Sequence, residues 1–252
     1  MATDAPTAQF KAETEYRAEA PTLIEGLPGL GMVASIAVDQ IRTQLDLEYH
    51  GHIESDELPP VAAFEEGRVR DVVRVHAGED PAVMTLQSDI PIPSKAFTSI
   101  SRTVHGDLAE EFDRAVFLAG AAAESEEQIG DVTGIATTES MRTALEEAGI
   151  TLAEESGAIG GVTGALVNDC YRGGVPAAVL IVRCDPRLPD PYAARAVIEN
   201  ALEPLVEFDI DTTELQEQAQ RIQRQKQQIA EQLQQLQQSE ESEPLQSRAM
   251  YQ

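Results

Sequence analysis

Between residues 21 and 210 the apolar positions switch repeatedly between short continuous or alternating runs and runs that recur every three or four residues. The first kind of period belongs to strands and the second to helices. Thr22-Leu23-Ile24-Glu25 reads as a short strand that meets Gly26-Leu27-Pro28-Gly29-Leu30-Gly31. Met32 to Leu45 then reads as a helix with Val33, Ile36, Ala37 and Ile41 on one face. Val61 to Phe64, Asp71 to His76 and Ala82 to Gln87 read as strands of a meander joined by glycine-bearing turns. Ser94 to Phe112 reads as a helix capped by Ser94, and Val116 to Gly120 as a buried strand ending in glycine. Val132 to Thr138 is a further strand, and Thr138 to Ala148 a helix closed by Gly149. Val162 to Tyr171 is helical, Ala177 to Val182 a central strand, and Pro191 to Phe208 a last helix of the body. Strands separated by helical segments predict a single α/β domain with a mixed sheet, mainly parallel in its second half. Residues 1–20 carry no such period and read as a flexible arm.

Beyond residue 210 the pattern changes abruptly. Residues 211–238 are glutamine-rich, and Leu215, Ala219, Ile222, Lys226, Ile229, Leu233 and Leu236 follow one another at spacings of 4, 3, 4, 3, 4 and 3. That is a heptad seam with Leu215, Ile222, Ile229 and Leu236 at d and Ala219, Lys226 and Leu233 at a. A seam two positions wide, flanked by glutamine, is narrow for ordinary core packing, so it predicts a coiled-coil helix that pairs chains into a homo-oligomer. The alternative is an amphipathic helix folded back on the body. Lys226 at a core position weakens such a bundle and biases its register or stoichiometry. Ser239 to Arg248 is charged, contains proline and has no period, so residues 239–252 read as a flexible tail.

Composition narrows the partners. Asp and Glu number 44 against 18 Lys and Arg, a net charge of −26, and the lysines are Lys11, Lys95 and Lys226. Such an excess of acid fits a protein from a high-salt cytoplasm, where counterions screen the self-repulsion. It argues against nucleic acid and against an anionic membrane surface as partners. An apolar content of 42% in periodic runs argues for a packed fold rather than disorder. The first twenty residues hold no apolar signal core. The uncharged stretch Gly26 to Val38, at 13 residues, is too short to span a bilayer. Cys170 and Cys184 form no CxxC motif and read as buried, reduced thiols, so the expected location is the cytoplasm.

Candidate chemistry is sparse. Gly26, Gly29 and Gly31 sit after a strand and open a helix, where a phosphate-binding loop would lie. Their spacing is G-x-x-G-x-G rather than G-x-G-x-x-G, and the lysine and Ser/Thr of a P-loop are missing. A strand-to-helix turn with close packing accounts for these glycines more simply. Gly157, Gly160, Gly161 and Gly164 form a second such cluster. His50, His52, His76 and His105 show no metal-ligand spacing, His50 and His52 read as surface residues, and pairs such as Glu110-Glu111 carry no information on an acid-rich surface. No active site, metal or cofactor is expected. The alternative is a nucleoside- or phosphate-binding enzyme or sensor using the Gly26–Gly31 loop, with Arg102 or Arg172 as anion partner.

The sequence ends Met250-Tyr251-Gln252, which resembles the HbYX tail (hydrophobic, tyrosine, terminal residue) with which proteasome activators dock between outer-ring subunits. A terminal carboxylate that pairs with a lysine, a tyrosine that packs and hydrogen-bonds, and an adaptable methionine suit such a pocket. Several tails on one oligomer gain avidity on a ring of repeated pockets. The segment Leu23-Ile24-Glu25-Gly26-Leu27-Pro28-Gly29-Leu30-Gly31-Met32-Val33-Ala34 resembles the opening signature of the proteasome assembly chaperone 2 family, and Gly157 to Leu166 its second glycine-rich segment. The resemblance implies a fold related to purine nucleoside phosphorylases without their catalysis, and homo-oligomers. It also implies a non-enzymatic, ATP-independent assembly chaperone or activator that binds the proteasome core or its α subunits through Met250, Tyr251 and Gln252.

Overall fold

The computed structural model describes residues 7–241. Among these residues there are ten strands: β1 (Ala8–Ala12), β2 (Thr22–Gly26), β3 (Glu48–Ser55), β4 (Ala63–Glu65), β5 (Arg68–Arg70), β6 (Val73–Glu79), β7 (Ala82–Ser88), β8 (Arg114–Ala122), β9 (Val132–Ala136) and β10 (Ala177–Cys184). The helices are α1 (Val33–Gln44), α2 (Phe97–Thr103), α3 (Glu139–Glu147), α4 (Gly161–Gly173), α5 (Pro191–Val197), α6 (Glu203–Val206) and α7 (Thr213–Glu241). Eight strands form one mixed sheet in the order β1-β3-β6-β7-β2-β8-β10-β9, while β4 and β5 make a separate two-stranded ribbon. β7, β2, β8 and β10 run parallel, and the other pairings are antiparallel.

The parallel strands are apolar on both sides because both faces are covered. On one face Ile24, Val116 and Leu180 pack under Val38 and Ile41 of α1, Leu145 of α3 and Val197 of α5. On the other, Leu23, Phe117 and Val179 pack under Ile100 of α2 and Leu166 of α4. Local signals place several boundaries. Thr138 caps α3 by accepting the Met141 N–H at 3.2 Å, and Asp190 caps α5 by accepting that of Ala193 at 3.0 Å.

The structure corrects several expectations. The flexible arm of residues 1–20 contains β1, whose Ala8 and Phe10 are buried and which pairs antiparallel with β3. The sheet edge and the α2 face supply a cover for that alternating segment. Val61 to Phe64 does not join a meander: Phe64 pairs with Val69 in the detached ribbon, whose short strands are set off by Gly67 at a φ of 78°. The helix expected over Ser94 to Phe112 is broken into an opening turn, α2 and a widened turn at Val104–Leu108, and Ser94 makes no side-chain cap. His50, read as a surface residue, is 2% exposed. Among the described residues, no helix is long and apolar enough to cross a membrane.

Candidate functional site

The glycine loop forms at the C-terminal end of β2, where α/β sheets commonly bind ligands. Its glycines are consumed by packing. A β-carbon on Gly26 would stand 2.5 Å from Val38 Cβ, so α1 lies directly on the strand end. Gly31 has a φ of 62°, and a β-carbon there would stand 2.7 Å from Cys184 Sγ. The Leu30 carbonyl presses onto Gly120 of β8, and only Gly29 faces open space among these loop glycines. The loop is therefore a strap across the ends of β8 and β10.

Beneath it lies Glu25, fully buried. Its carboxyl accepts the Leu27 N–H at 3.0 Å and the Leu118 N–H at 3.3 Å, and it bonds the Thr163 side chain near the start of α4. Burial pushes its pKa up to about 8, against the lowering effect of these hydrogen bonds. Glu25 thus ties the first glycine-rich segment to the second. The sequence hides this, because its burial depends on a helix more than a hundred residues away.

A groove of about 820 Å³ flanks the loop, lined by Leu30, Met32 and Ile36 on one side and by Arg70, Arg74 and Asp89 on the other. The arginines are not free for an anion. Asp89 is held by Arg70 and Arg74, and Arg70 also pairs with Glu65. Burial, the largest single influence, favours a neutral Asp89, but the bonds and charges of Arg74 and Arg70 together hold its pKa below the usual range. Arg102 lines a different groove between β1 and α2, and Arg172 lies in the last turn of α4. The structure brings neither of the arginines singled out as anion partners to the glycine loop.

A hydroxyl–imidazole–carboxylate chain, unforeseen in the sequence, joins Thr14 Oγ1 to His50 Nδ1 at 2.8 Å and His50 Nε2 to Glu111 Oε2 at 2.6 Å. The adjacent cavity is walled by Glu15, Asp46, Glu48, Glu79 and Asp80. Those carboxylates oppose the negative charge that develops in acyl transfer. The chain serves to staple the segment after β1 onto the sheet.

Helix α7 changes role along its length. Leu215 is 2% exposed and belongs to the core, while Ala219 and Ile222 are half-buried beside Ile129, Pro191 and Tyr192. Lys226 Nζ donates to Asp185 Oδ2 at 2.6 Å. Asp185 is drawn down to about 2, first by that bond and then by the Arg187 N–H. Four seam residues therefore face the body of their own chain, which corrects the expectation that the seam is too narrow to pack there. Lys226 is a latch rather than a flaw in a bundle. Ile229, three residues on, is 57% exposed. The side chains of Leu233 and Leu236, and all of Met250, Tyr251 and Gln252, lie outside the described residues.

One hydrogen-bonded path joins the loop to this helix. The Asp190 N–H donates to the Gly31 carbonyl at 2.8 Å, the Asp185 N–H to Asp190 Oδ2 at 2.8 Å, and Lys226 to Asp185. The glycine loop, the turn after β10 and α7 are thus one mechanical unit.

A model of the PAC2 family matches residues 23–230. An uncharacterised protein of Methanocaldococcus jannaschii is 29% identical over 213 residues, spanning 84% of this chain and 85% of its own. The crystal structure of Pyrococcus furiosus PbaA, described as an archaeal homolog of proteasome-assembly chaperone, superposes with a TM-score of 0.79 at 25% identity, over 93% of this chain and 97% of its own. Pyrococcus furiosus PbaB, described as an archaeal proteasome activator, gives a TM-score of 0.80 over 90% and 100% of the two chains, and at 18% identity this is a likeness of fold alone.

Proposed function

The chain belongs to the PAC2 family, and on that premise we propose that it is a non-enzymatic, ATP-independent proteasome-binding protein, an assembly chaperone or activator. It docks Met250, Tyr251 and Gln252 into pockets between α subunits. The likeness to PbaA, nearly end to end and at 25% identity, is the observation that carries this reading. The layout of α7 supports it. The helix is latched at Lys226 and runs on to Glu241, about 22 Å further at 1.5 Å per residue, toward the terminal segment.

Homo-oligomerisation belongs to the same reading. With the first half of the seam held by the body, the exposed Ile229 is the described seam position available to pair copies, and the heptad spacing continues through Leu233 and Leu236. Multiple tails then raise the effective concentration at a ring of pockets. Tyr251→Ala tests the assignment: binding to purified archaeal proteasome core, followed by surface plasmon resonance in high salt, falls at least about tenfold while the melting curve is unchanged. Full retention of binding by that variant removes the role given to the tail.

A further inference from the structure

The most exposed large apolar side chains among the described residues are Phe64 and Val69, at 76% and 79%. They are direct cross-strand partners in the β4–β5 ribbon, so they share its outer face. The other face is already in use. Ala63 is buried there, Arg70 pairs with Glu65 and Asp89, and Glu65 and Arg70 form a wall of the groove beside the glycine loop. A two-stranded ribbon with three residues per strand is marginal in water unless a face is covered. Here the covered face is polar and the uncovered face apolar, the reverse of what a ribbon exposed to solvent favours.

We propose that the outer face of this ribbon, built on Phe64 and Val69, seats a second copy of this chain. Charge selects that occupant. The segment from Val61 to Arg74 carries Arg68, Arg70 and Arg74 against Glu65, Glu66 and Asp71, so it is neutral within a chain of net charge −26. Two equally acidic copies repel each other least where each presents a neutral apolar patch. A cationic partner would instead be drawn to the acidic faces. This inference rests on the homo-oligomeric reading above and adds to it a contact between bodies, separate from the α7 seam.

Sedimentation velocity over a concentration series in high salt tests it on the full chain. The samples are wild type, a Phe64→Ser/Val69→Ser variant and an Ile229→Ser variant. The ribbon variant is expected to dissociate at concentrations about a hundredfold higher than wild type, with an unchanged circular-dichroism melt. The Ile229→Ser variant is expected to keep the ribbon-dependent step. An oligomeric wild type with an identical distribution for the ribbon variant overturns the ribbon contact and leaves the homo-oligomer standing. A wild type that is monomeric throughout overturns both. Loss of proteasome-core binding by the ribbon variant, with self-association intact, assigns the surface to another protein and overturns the second copy as occupant.

Discussion

The two halves of α7 obey different rules although they share one glutamine-rich, heptad-spaced sequence. From Leu215 to Lys226 the seam is a wall of the body, ending in a lysine bound to a nearly buried aspartate. At Ile229, the next position of the same spacing, the side chain is exposed. A helix that is half core and half outrigger needs a sharp boundary, and Lys226 supplies it. Its ammonium ends on Asp185, so a residue too polar for a coiled-coil core suits a point of attachment to the body. A regular repeat does not imply a uniform environment.

The docked half inherits its position from the glycine loop, so the loop is where the comparison is most strongly tested. Glu25 keeps its proton in the fold up to about pH 8 but would lose it near 4.5 when unfolded. Its stabilising contribution is therefore complete below pH 4.5, fades as pH rises, and is gone above about 8. Guanidinium unfolding at pH 5 and pH 8.5 is expected to show wild type losing on the order of 4 kcal/mol more than Glu25→Gln, which cannot ionise. Parallel behaviour of the two proteins would remove the buried acid from the account.

The halves themselves separate next. Leu215→Ala should cost about 2–5 kcal/mol of unfolding free energy, the range for emptying a core leucine site. Ile229→Ala should change it by less than about 0.5 kcal/mol, as at an exposed position. Equal costs would abolish the distinction. The smallest effect belongs to the latch. Lys226→Met should cost about 1 kcal/mol, a modest figure because the lysine is 43% exposed and screened by solvent. Its clearer signature is faster amide exchange from Gln216 to Lys226 without global unfolding, an effect that 1 M salt on wild type should partly reproduce.

Much of the body was legible because its signals are local. The strand from Thr22, the following glycine turn, the helix that begins at Thr138 and the apolar run Ala177 to Val182 announce themselves within a few residues. What escaped depends on partners distant in sequence. Glu25 looks like the polar end of a strand until α4 lies over it. His50 looks exposed until Thr14 and Glu111 close on it, and β1 offers only Ala8 and Phe10 as apolar clues. Lys226 reads as a coiled-coil defect because Asp185, 41 residues earlier, cannot be seen in the repeat. The glycine loop was legible as a packing turn, whereas the groove's occupation by its own ion pairs was not.

On the proposed function, the body and α7 serve to deliver a terminal tail to the proteasome. The most direct measurement compares the full-length protein with a chain lacking Met250-Tyr251-Gln252 for binding to purified archaeal proteasome core and to free α subunits, in high salt. Binding is expected of the full-length protein alone, with its preferred target separating activator from assembly chaperone. Equal binding by both chains, or by neither, would contradict it.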